Sequence, residues 1–171
     1  MRFRLTLGLL AMATGVWAQA VDEYQVKAAF LYNFAKFVDW PPQSFRSAAD
    51  PISICVFGVN PFGHSLEDAI SGKSVGGRTF TVRPIAKMAQ ATGNCQILFI
   101  AGSRKPPPDT PMGGVLTVGD ADGFAEGGGV IGFRLDEGKV LLDVNVEAAE
   151  QRKLRISSKL LSLARIVRTD K

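Results

Sequence analysis

Two short runs of apolar residues, Ile52 to Phe57 and Cys95 to Ala101, constrain this chain more than any other feature. The first is apolar on both faces apart from Ser53, so neither face can look out on water; that reads as a central strand rather than an edge. The second is of the same buried type. Helical patterns lie around them. Val26, Phe30, Phe34 and Phe37 recur at spacings of four, four and three, with Leu31 and Val38 widening the stripe, so residues 22–39 read as a helix. Asp22 and Glu23 sit where its dipole favours negative charge, and Trp40-Pro41-Pro42 ends it. Residues 62–71 fit a short helix, 79–83 a strand and 85–91 a weaker helical stretch. The first half thus predicts helix, strand, helix, strand, helix, strand, which is an α/β fold.

The second half adds strands. Val115 to Val118 is one, and Val130 to Leu135 with Val140 to Val146 flank Asp136-Glu137-Gly138 as a hairpin. Glu147 to Arg152 should be helical. Ser157 and Ser158 cap a last helix striped by Leu160, Leu161, Ala164 and Val167. Residues 102–113 hold Pro106, Pro107, Pro108 and Pro111 and form a loop. The expectation is an α/β fold with one mixed sheet packed by helices.

The amino end reads as an export signal. Arg2 and Arg4 precede an apolar run, Leu5 to Trp17, and Ala18-Gln19-Ala20 supplies small residues for cleavage after Ala20. The run is too short for a comfortable membrane span. Removing residues 1–20 of 171 leaves 151, the size of one domain spanning 21–171. The two signal arginines make up half of the formal charge of +4. The remainder is too weak, and too poor in interleaved aromatics, for nucleic-acid binding. No second apolar run approaches membrane-spanning length, so the mature chain is expected in the periplasm without inserting in a membrane. Cys55 and Cys95, an even count in an exported chain, read first as a disulfide. The alternatives are two buried thiols that never meet, or a metal site, for which His64 is the only imidazole and no C-x-x-C spacing exists.

Nothing in the chain assembles an enzyme, a cofactor site or a metal site. Gly72-Lys73-Ser74 ends like a phosphate-binding loop, but Glu67 occupies the position of its first glycine and the flanking elements are in the wrong order. Gly127-Gly128-Gly129 lead into a strand instead of following one, so they read as a tight turn with close backbone packing. Asp120, Asp122 and Glu126 lack the spacing of a calcium loop and read as a solvated turn. Ser65 adjoins His64, but helix neighbours do not face each other. Asn145, inside an otherwise apolar strand, needs several hydrogen-bond partners if buried. It reads as a structural polar bridge, with a ligand contact as the alternative.

Several motifs look familiar together. They are Val26-Lys27-Ala28-Ala29-Phe30-Leu31-Tyr32-Asn33-Phe34-Ala35-Lys36-Phe37 before Trp40-Pro41, Ile54-Cys55-Val56-Phe57-Gly58 with Asn60-Pro61-Phe62-Gly63, and Leu116-Thr117-Val118 before Phe124 and Gly128-Gly129. Val144-Asn145-Val146 and Leu154-Arg155-Ile156-Ser157-Ser158-Lys159-Leu160-Leu161 close the set. In these the chain resembles the YfiR family of exported proteins over essentially its whole mature length. The resemblance implies a periplasmic α/β domain, often dimeric and without catalytic activity. It implies repression of an inner-membrane diguanylate cyclase through that enzyme's periplasmic domain, with an outer-membrane lipoprotein able to sequester the repressor. Cyclic di-GMP signalling and biofilm regulation would be the output. The alternative is a small-molecule-sensing module feeding a sensor kinase or another membrane partner. The family's namesake carries a second cysteine pair in its C-terminal half, which this chain lacks. Phe37 and Trp40, at the end of the first helix, are the candidate partner contacts, with core packing as the alternative for both.

Overall fold

The chain enters through α1 (Gly15–Phe37) and turns at once into β1 (Val38–Asp39). In the computed structural model residues 15–102 and 112–170 are described; most of the expected signal peptide, residues 1–14, and most of the proline-rich stretch lie outside them. There follow β2 (Ile52–Phe57), α2 (Ser65–Ile70), β3 (Phe80–Ile85), β4 (Ile97–Ile100), β5 (Leu116–Gly119), β6 (Ile131–Asp136), β7 (Lys139–Asn145), α3 (Val146–Gln151), β8 (Arg155–Ile156), α4 (Ser158–Leu161) and β9 (Ala164–Val167). Seven strands form one mixed sheet in the order β3-β2-β4-β5-β6-β7-β9. The pairs from β3 to β6 are parallel, β6 and β7 form the antiparallel hairpin, and β9 runs parallel to β7.

The apolar runs explain this order. Every residue of β2 and β4 is buried, whereas the edge strand β3 is half-open. Pro84 sits in that edge strand, where a missing N–H on the outer side breaks no ladder bond. On one face Ile54, Phe99, Val118 and Phe133 lie under the helices. On the other, Phe57, Leu98 and Ile100 are covered by loops carrying Ala91, Met112 and Phe124. In the hairpin, Glu137 (φ 47) and Gly138 (φ 77) are both left-handed, the pairing that matches strand twist.

Five expectations are corrected. The first helix stops at Phe37, because Val38 and Asp39 turn extended to pair with Ile156 and Arg155. It also begins by Gly15, so Asp22 and Glu23 are not in its first turn. Of its expected stripe Leu31 and Phe34 are buried and Phe30 and Phe37 half-buried, but Val26 is 38% exposed and Lys27 is buried instead. The stretch 85–91 gives only a 3-10 turn, Met88–Gln90, since the Gln90 side chain takes the N–H groups of Ala86 and Lys87. The last helix ends after one turn. Ala164 to Val167 leave it as a strand, because the open edge of β7 offers a ladder along Leu142 to Asn145.

Candidate functional site

The end of α1 builds the first candidate surface. Pro41 forces Trp40 out of the helix, and the 3-10 turn Pro42–Ser44 carries the chain away. Phe37 and Trp40 are both half-buried and pack against the core. The Trp40 indole N–H donates to the Gln96 carbonyl at 3.0 Å. The Gln96 side chain in turn ties β2 to the 3-10 turn, accepting from Ser53 N at 2.8 Å and donating to the Ser44 carbonyl at 2.6 Å. Ser157 N donates to the Phe37 carbonyl, and the Lys159 ammonium lies 5.7 Å from the Phe37 ring. Exposed Asp39, between Phe37 and Trp40 in sequence, pairs with exposed Arg155 across β1 and β8. The result is a pair of half-buried aromatic side chains with charged residues on the adjoining strands and turn.

At the carboxyl ends of the strands the sequence reading missed a buried polar cluster. Asp120, directly after β5, accepts from the Tyr24 hydroxyl at 2.8 Å and from Lys27 at 3.2 Å. Lys27 also pairs with Glu23 at 2.5 Å, and the Gly102 N–H reaches the other oxygen of Asp120. Burial first, then the bond to Asp120, pushes the Tyr24 phenol far above its ordinary value, so it stays a donor. The expected solvated acidic turn is therefore corrected. Asp120 is tied to α1, Glu126 pairs with Arg165 at 3.0 Å, and Asp122 alone of the three stays exposed. Asp143, also buried, receives two bonds from Arg165, at 2.8 and 2.7 Å, which raise the guanidinium's pKa.

Asn145 is fully buried at the end of β7. Its side chain accepts from Ala148 N and donates to the Ala125 carbonyl and the Thr169 hydroxyl, each at 2.9 Å. It therefore caps α3 and ties two loops. Cys55 and Cys95 form a disulfide with Cα atoms 5.8 Å apart, buried on the loop-covered face. Gly127 to Gly129 form the turn into β6; a Cβ at Gly129 would strike the Phe124 ring. His64 is exposed ahead of α2, and its side chain bonds to no other described residue. No described helix is long and apolar enough to cross a membrane.

The sheet up to the start of β9, the disulfide and the helix end lie within the stretch that the YfiR/HmsC-like family model matches, residues 24–165. The chain belongs to the YfiR/HmsC-like family. The match runs from the buried turn of α1 at Tyr24 to Arg165 in the edge strand β9. YfiR/HmsC-like proteins are regulators rather than catalysts, and membership supports a periplasmic role in cyclic di-GMP signalling in general terms. No curated protein matches the chain.

Proposed function

We propose that this YfiR/HmsC-like protein binds the periplasmic domain of an inner-membrane diguanylate cyclase and holds it inactive. The observation that carries the reading is the family match across residues 24–165. The protein acts without turnover, by binding the partner's inactive state more tightly than its active one and so shifting the population. An outer-membrane lipoprotein that sequesters it would release the enzyme. Residues 1–20 direct export and are cleaved off after Ala20, leaving 21–171 as one periplasmic domain. Phe37 and Trp40 supply the partner contact. Their support is geometric: large, half-buried rings, one held by a hydrogen bond to the Gln96 carbonyl, are the side chains that anchor interfaces.

The test is intracellular cyclic di-GMP in the host with and without the gene. Deletion should raise it. The exported protein should restore it, a version lacking residues 1–20 should not, and exported Trp40→Glu should restore it poorly when compared at equal amounts of folded protein. Unchanged cyclic di-GMP on deletion would overturn cyclase repression.

A further inference from the structure

Gln96, just ahead of β4, is a polar residue only 5% exposed. Its backbone belongs to the sheet, donating from N to the Ser53 carbonyl and accepting at O from Leu116 N. The same carbonyl has a second lone pair, which takes the Trp40 indole N–H at 3.0 Å. The side chain reaches the same region by another route. Its Oε1 takes the Ser53 N–H, which turns Nε2 to the Ser44 carbonyl, four residues after Trp40. One residue thus holds both the indole and the far end of the turn that follows it.

The chemistry at this position asks for a primary amide. Ser53 N–H needs an acceptor and the Ser44 carbonyl needs a donor; a carboxylate supplies only the first and an ammonium only the second. Between Trp40 and Ser44 lie Pro41 and Pro42, whose rings fix φ, so little freedom separates the two anchored points. Ser44 is confined again by Gly114, where a Cβ would collide with the Ser44 hydroxyl. Upstream, Asp39 pairs with Arg155, so Trp40 sits between two ties. A side chain held in place before its partner arrives loses less freedom on binding.

We propose that Gln96 is a positioning residue for the partner contact at Trp40. Its amide fixes the 3-10 turn Pro42–Ser44, its carbonyl fixes the indole, and together they present the ring in one orientation. The functional half of this proposal rests on Trp40 being a partner contact; the structural half does not.

Trp40 is the sole tryptophan of residues 21–171, so the fluorescence of protein purified from its exported form reports this position alone. Gln96→Met keeps the shape of the side chain and removes both of its bonds. Gln96→Glu keeps the acceptor for Ser53 N and removes the donor to Ser44. Each should raise acrylamide quenching of Trp40 at least twofold and lower its anisotropy. Asn145→Ala, a destabilising change that breaks none of these bonds, should alter neither. Unchanged quenching in whichever Gln96 variant folds would overturn the proposal, as would an equal change in Asn145→Ala. In the host, at equal amounts of folded protein, the Gln96 variants should repress cyclic di-GMP at least threefold less well than the parent. Full repression by a variant with a loosened Trp40 would also overturn the proposal. Cyclic di-GMP that ignores deletion of the gene would instead remove the cyclase reading, and the quenching result would still decide whether Gln96 positions Trp40.

Discussion

Phe124 occupies space that Gly119 and Gly129 leave open by having no side chain. Its ring lies so close to both backbones that a Cβ at either position would collide with it. Neither glycine has the left-handed backbone that would itself demand glycine, so the requirement is room. Phe124 is 1% exposed and fills the loop-covered side of the sheet beside Leu98 and Ile100. The Gly119→Ala variant should lose about 1–3 kcal/mol, the usual range for overpacking a tight core. Urea unfolding measures this, and a midpoint equal to the parent's would contradict the packing argument.

Asn145 works at the level of elements, since one amide holds the end of β7, the start of α3, the segment before β6 and the tail after β9. Asn145→Ala should cost about 2–3 kcal/mol, because a helix cap is lost and the buried Ala125 carbonyl loses its donor. Chemical denaturation would read this loss, and a cost under about 0.5 kcal/mol would show that the bridge carries little stability. The elements also show what the sequence made legible. β2 and β4 were readable because burial on both faces leaves a continuous apolar run. β9 was not, since Leu160, Leu161, Ala164 and Val167 fit a helical period and only the neighbouring edge of β7 selects a strand. The buried face of α1 was misplaced because a lysine reads as solvent-facing. Lys27 is buried against Glu23 on its own helix and Asp120, 93 positions away. At the candidate sites, Trp40-Pro41 marked the end of α1, so Phe37 and Trp40 could be placed. The contact of Lys73 with the Tyr32 ring could not, because Lys73 lies in a turn that reaches α1 only after folding.

Across the whole molecule, the disulfide links the central strand β2 to the residues just ahead of β4, spanning 40 positions. In the chain-entropy model a loop of that length stabilises by about 4 kcal/mol. The double variant Cys55→Ser, Cys95→Ser should therefore melt well below the parent, and prolonged reduction of the parent should lower its melting temperature too. Thermal melts with and without reductant check this; identical curves would mean the covalent link adds nothing. The placement of α1 has a consequence in time. Phe30 and Phe34 rest on Phe133, and Tyr24 bonds to a residue 96 positions later. Chains are made and exported amino end first, so this helix emerges long before the strands it covers. Contacts so distant in sequence form slowly. Until β6 arrives, α1 is an apolar helix without a surface to lie on, and a holding chaperone would meet the chain there first.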